Sequence, residues 1–168
     1  MLESPEQVVE DQIEYLSQLN MSSDQTQAIT KVLHAYAAAL GSYNGTGPVT
    51  SSVNQTISLY TSDGVIMPPH FPPSAGQSSL RDSYTRIFQT IKLTIKFDID
   101  EIVIMAPGEW AFARTTAKGI KTMLASGAEE EHHNQELFIF KCEEEEWKIA
   151  RYAFSTMKPL VQDGVRRS

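Results

Sequence analysis

Apolar residues recur with helical spacing in the first half of this chain and with strand spacing in the second. Ile29, Val32, Leu33, Tyr36, Ala37 and Leu40 form one continuous stripe at intervals of three and four, which predicts an amphipathic helix ending near Gly41. Ahead of it, Ser4-Pro5-Glu6-Gln7 offers a cap residue, a proline at the first helical position and a glutamine at the third. A separate helix is therefore expected from there to about Asn20, and Ser22-x-x-Gln25 repeats the capping box for the next one. Residues 44–52 read as a loop, followed by a short helix with Val53, Ile57 and Tyr60 on one face. Val65-Ile66-Met67 reads as a strand stopped by Pro68-Pro69, and Phe71 to Gly76 as an irregular connection. Ser79-x-x-Asp82 opens another helix, with Leu80, Tyr84, Ile87, Phe88 and Ile91 as its apolar face.

Everything beyond residue 92 has strand character, over 93–105, 110–124, 132–142 and 147–157. Turn signals separate these runs at Pro107-Gly108, Ser126-Gly127 and the run Glu143 to Glu146. Helices followed by strands predict an α+β domain with helices on one face of an antiparallel sheet. Strands this long twist, so the sheet should curve round three to four N-terminal helices as a cone with an open end, a shape that holds ligands. At 168 residues and 41% hydrophobic content the chain fits a single domain, with 1–23 an additional N-terminal helix and 159–168 a tail.

The net charge of −7 argues against sequence-independent binding to nucleic acid or to an anionic membrane, both of which need Lys and Arg clusters. The one adjacent basic pair is Arg166-Arg167. Cys142 is the only cysteine, which excludes an internal disulfide and a thiolate metal site. Asn20, Asn44 and Asn54 each head an N-x-S/T triplet, but MLESPEQVVEDQ has no basic stretch leading into an apolar one. The triplets read as chance and the protein as intracellular, in the cytoplasm. No apolar run approaches the length of a membrane span.

Three segments carry a family resemblance. They are Ile57 to Pro69 with Tyr60, Asp63-Gly64 and Met67-Pro68; Glu109-Trp110-Ala111 through Arg114; and Asn134-Gln135-Glu136 with Trp147 to Tyr152. Over roughly residues 24–158 the chain resembles the NTF2-like superfamily, and within it the branch of small SnoaL-like and SgcJ-like proteins. The resemblance implies the cone fold and a homodimer, the latter matching apolar alternation on both faces of the last two strands. It leaves activity open, because isomerases, cyclases, epoxide hydrolases, dehydratases and non-catalytic proteins share that cone. Where the family usually has an Asp-Gly type turn between its last two strands, this chain has Glu143 to Glu146, so a longer or looser hairpin is expected there.

Strand alternation selects the candidate chemistry. In 132–140 the even positions are His132, Asn134, Glu136, Phe138 and Phe140, a set with its polar groups where a cone interior would need them. Glu136, flanked by phenylalanines, is the candidate general acid or base, with desolvation moving its pKa toward neutrality. The alternative is an ion pair of Glu136 with Arg114 or Arg151. His132 is the candidate proton-transfer partner of Glu136. Either Arg151 or Tyr152 joins the catalytic set, and alternation alone leaves open which of them faces inward. Substrate contacts are expected from Asn134, Arg114, Tyr36, Met67, Tyr84, Phe88, Trp110 and Phe138, with His70 at the mouth; His34 reads as helix surface. His132-His133 point to opposite faces and cannot share an ion without a bulge, so no metal is expected. No nucleotide fingerprint, phosphate loop or nucleophile elbow occurs, so no cofactor is expected either. These features predict a cofactor-independent enzyme acting by isomerisation, cyclisation or a related proton transfer on a hydrophobic small molecule, in natural-product biosynthesis. A non-catalytic ligand-binding or scaffold module is the alternative. An open interior with convergent polar groups distinguishes the first from the second.

Overall fold

The stripe from Ile29 to Leu40 is the spine of the molecule: Ile29, Leu33 and Tyr36 are fully buried against the concave face of a curved sheet. The computed structural model describes residues 5–105, 107–157, 161–162 and 165–166. In chain order these form α1 (Pro5–Gly41), α2 (Thr50–Ile57), β1 (Tyr60–Met67), β2 (Ser74–Ala75), α3 (Gly76–Thr90), β3 (Ile91–Met105), β4 (Trp110–Met123), β5 (Glu129–Glu143) and β6 (Glu146–Thr156). Two-residue strands β7 (Val161–Gln162) and β8 (Val165–Arg166) pair with each other, and most of the expected tail lies outside the described residues. The main sheet has six strands in the order β2-β1-β6-β5-β4-β3. Helices on one face of a curved sheet give the expected α+β cone of the NTF2-like fold.

Several local expectations are corrected. The two N-terminal helices are one, because nothing between Asn20 and Ile29 breaks a helix; Ser22 gives its carbonyl to Thr26 Oγ1 at 2.8 Å instead of capping. The proposed cap Ser4 lies outside the described residues. Tyr60 belongs to β1, not to the helix before it, and β2 is a short strand inside the segment expected to be irregular. The sheet is mixed, since β1 runs parallel to β6 with Ile66 opposite Tyr152. Periodicity identifies a strand but not its neighbour, and β1 pairs with the last strand of the main sheet. The hairpin at Glu143 to Glu146 is tight: Glu144 and Glu145 both take positive φ, 51° and 67°, the left-handed pair that a two-residue hairpin turn requires.

Two β-bulges decide which side chains face the interior. Ile99 pairs with Thr115 and Glu101 with Arg114, leaving Asp100 as an extra residue in β3. Likewise Ile139 pairs with Arg151 and Phe140 with Ile149, leaving Ala150 extra in β6. Past each bulge the alternation changes phase. In β6 it carries the inward set from Trp147 and Ile149 to Tyr152, and it turns Arg151 outward.

Up to Asp24 every described side chain of α1 is exposed, including Val9, Ile13, Leu16 and Leu19. This arm buries nothing against the body. Deleting residues 1–22 is therefore expected to leave the melting temperature within about 3 °C of the full chain. Calorimetry checks this, and a drop of 10 °C or so would show that the arm supports the body after all.

Candidate active site

The inward row of β4 is Ala111, Ala113, Thr115 and Ala117, all buried, with small side chains that let the rings of α1 approach the sheet. Thr115 stands directly across from Glu136 on β5, and Thr115 Oγ1 donates to Glu136 Oε2 at 3.0 Å. Tyr152, brought inward by the bulge at Ala150, donates its hydroxyl to Glu136 Oε1 at 3.0 Å. Glu136 is 5% exposed and has no cation partner among the described residues. Burial pushes its pKa up to about 7, and the hydrogen bonds from Tyr152 and Thr115 only partly offset this.

Above this carboxyl lies a tyrosine cluster. Tyr84 Oη meets Tyr36 Oη at 2.5 Å and Tyr60 Oη at 2.6 Å. Of the three, Tyr36 and Tyr84 line the cavity, which puts their hydroxyls at its wall. Burial raises the pKa of all three phenols, and of Tyr152, well above the ordinary value, which keeps them protonated donors. The ring of Tyr36 packs edge-on against Phe138 at 5.5 Å and Tyr152 at 5.3 Å, and Phe138 stacks under Tyr152 at 4.3 Å. These contacts fix the rings whose hydroxyls define the site.

Glu136, Tyr152, Tyr36, Tyr84, Asn134 and His132 all open onto one cavity of about 890 Å³. Asn134 Nδ2 and His132 Nε2 lie 3.1 Å apart. Four residues along one strand separate the backbones of His132 and Glu136 by about 13 Å. Apolar walls come from Leu40, Ile66, Ile87 and Phe154, and the mouth from Pro68 to Pro73 with exposed Phe71.

Other sequence candidates fall elsewhere. Arg151 is on the outer face, donating to the Asp63 carbonyl at 3.2 Å and lying 3.6 Å from its carboxylate. Arg114, also outward, is paired with Glu101, which removes the expected ion pair with Glu136. Trp110 and Met67 are outward and partly exposed, with Lys141 Nζ 5.6 Å from the Trp110 ring. Phe88 and Phe138 are core residues behind the cavity wall, and His70 is exposed at φ 67° in the mouth loop. Thr115 and Tyr60 were missed. A lone hydroxyl in an otherwise alanine row was the signal for Thr115; Tyr60 was hidden by its assignment to a helix. Among the described residues no three His, Cys, Asp or Glu side chains are grouped to hold a metal, and no helix is long and apolar enough to cross a membrane.

A curved sheet closing on helices, with a lone desolvated carboxyl inside, defines the chain as an NTF2-like cone protein. It belongs to the SnoaL-like domain family, whose model matches residues 50–159. A ketosteroid isomerase-like protein from Erwinia carotovora atroseptica is 30% identical, with a TM-score of 0.64 over 77% of this chain and 96% of that one. A provisionally assigned scytalone dehydratase from Novosphingobium aromaticivorans shares the fold at 14% identity, TM-score 0.67, over 83% of this chain and 89% of that one. A provisionally assigned dehydratase of the NTF2-like family from Streptomyces avermitilis does so at 13% identity, TM-score 0.64, over 81% and 99%. No curated protein matches the chain.

The raised pKa of Glu136 has a consequence for stability. Between the ordinary value of 4.5 and about 7 the folded state holds a proton that the unfolded chain releases, so stability falls as pH rises through that window. The full effect is of the order of 3 kcal/mol for a shift from 4.5 to about 7. In Glu136→Gln that component is absent. Chemical denaturation of both proteins between about pH 5 and pH 8 should give a difference curve that slopes in this direction; parallel curves would show that Glu136 titrates normally.

Proposed function

We propose that the protein is an enzyme of the isomerase or dehydratase type, moving protons on a hydrophobic small molecule with its own side chains. One feature carries the reading: a buried carboxyl, its pKa pushed up to about 7 and with no counter-cation among the described residues, opens onto an apolar cavity beside the hydroxyls of Tyr36 and Tyr84. Ionised Glu136 takes a proton from a carbon next to a substrate carbonyl. The C–H electron pair moves into a new C=C bond, and the carbonyl pair moves onto oxygen. The tyrosine cluster donates to that oxygen as its charge grows. Protonated Glu136 then returns the proton either to another carbon, completing an isomerisation, or to a departing β-hydroxyl, releasing water. With a second carbonyl in reach the enolate carbon attacks it to close a ring, its C=O pair moves onto oxygen, and protonated Glu136 returns the proton to that alkoxide. Asn134 and His132 would hold the far end of the molecule. The open cavity supports this reading over a non-catalytic scaffold, whose interior would be filled.

We further propose a homodimer through the outer sheet face. Val103, Phe112 and Ile139 form one row across β3, β4 and β5, and Met105, Trp110 and Leu137 beside it are more than a third exposed. Light scattering should give twice the chain mass at micromolar concentration, and a monomer would refute the interface.

The activity is tested with 2-tetralone, by following exchange of its α-protons in D2O by NMR. The wild type should accelerate exchange over buffer, with a rate rising as Glu136 ionises near neutral pH. Glu136→Gln should lose roughly 10²-fold and Tyr84→Phe a comparable factor, while both stay folded. No acceleration by the wild type, or an unchanged rate in Glu136→Gln, would remove proton transfer at this site.

A further inference from the structure

The cavity has a second polar feature that the proton-transfer chemistry does not use. On α3, Ser83, Arg86, Ile87 and Thr90 share one face and line the cavity. Arg86 Nη2 donates to Ser83 Oγ at 3.3 Å, and Ser83 Oγ lies 2.6 Å from Ser74 Oγ on β2. Whichever serine donates in that contact, the pair keeps one hydroxyl proton unspent, and most of the guanidinium N–H groups have no partner among the described residues. Among the described residues no carboxylate lies within ion-pair distance of Arg86. The other cation of the cavity wall, Lys121, is held by Glu130 at 2.8 Å. The wall at α3 and β2 is thus a cluster of donors with an unneutralised positive charge at the mouth of an apolar cavity.

Its position relative to Glu136 follows from register. Ser74 stands opposite Ile66, and Ile66 opposite Tyr152, whose hydroxyl holds Glu136. Two strand spacings separate the serine from Tyr152 along that row, about 10 Å. We propose that the substrate is an apolar carboxylic acid, its carboxylate bound by Arg86, Ser83 and Ser74 and its reacting carbon at Glu136, on the strand beyond Tyr152. The planar guanidinium fork fits a carboxylate. Glu131, which also lines the cavity, disfavours a doubly charged phosphate more than a singly charged carboxylate. This rests on the small-molecule enzyme reading above and narrows it to a substrate class.

The test uses biphenyl-4-carboxylate and biphenyl-4-carboxamide, of matching length and shape, titrated calorimetrically near pH 8. The wild type should bind the acid about 10-fold or more tightly than the amide. Arg86→Met should abolish that preference by weakening the acid alone, and Arg86→Lys should restore only part of it; Arg86 is exposed, so both variants fold. Equal binding of the two probes by the wild type overturns the assignment, as does an equal loss of both in Arg86→Met or no binding of either at about 1 mM. Tetralone carries no acid group, so its exchange reports on Glu136 separately. A protein that exchanges tetralone but does not distinguish the biphenyls keeps the enzyme reading and loses this one.

Discussion

Everything in this molecule is arranged around one carboxyl group taken out of water without a cation beside it. A buried carboxylate without a positive partner is held by hydrogen bonds or becomes protonated, and Glu136 does some of each. Thr115 and Tyr152 occupy its two oxygens from the neighbouring strands on either side, which ties the three central strands together at one point. The hydroxyl of Tyr152 is positioned by its ring, clamped between Phe138 and Phe154. That stack in turn receives the edge of Tyr36 from α1. The packing of helix on sheet and the state of the carboxyl are therefore one problem.

The bulges make that arrangement possible. A strand with unbroken alternation from Trp147 would turn Arg151 inward and Tyr152 outward. The cone would then enclose a guanidinium near Glu136, whose attraction would hold the carboxyl ionised and weakly basic. One extra residue, Ala150, reverses this. Arg151 becomes part of an outer-face pair with Asp63, and a neutral phenol takes its place beside the acid. A positional change of one residue decides between a structural salt bridge and a group able to trade protons near neutral pH.

Much of this was legible in the sequence, and the part that was not has a common cause. Glu136, Asn134 and His132 were found because a single unbroken strand carries them and alternation within it is reliable. The helix stripe through Tyr36 and the face through Tyr84 were found for the same reason, each being periodic over several turns. What failed depended on partners distant in sequence. Arg114, offered as a cavity contact, and Arg151, left open against Tyr152, both face outward in strands that contain or border a bulge, and a bulge leaves no composition signal when the extra residue is Ala150 or Asp100. The parallel pairing of β1 with β6, and the tight turn built from Glu144 and Glu145, are set by the tertiary path and override residue preference. The hydroxyl pair Ser74 and Ser83 and the neighbouring Arg86 join two segments that were read, separately, as irregular and as plain helix.

The energetics of Glu136 set it apart from a structural residue. Its raised pKa means that at neutral and higher pH the folded protein carries a charge in a place that opposes ionisation, and stability is lower for it. An apolar or amide side chain of similar volume would remove that penalty and still fill the row between Asn134 and Phe138. Structural need therefore does not account for an acid at this position. A carboxyl pushed up to about 7, with its oxygens held by two hydroxyls and the hydroxyls of Tyr36 and Tyr84 on the same cavity, suits the proton transfer proposed above. The strain is located where chemistry can use it, and the surrounding aromatic core, packed without a buried unsatisfied polar atom among the described side chains, is what the fold supplies to sustain it.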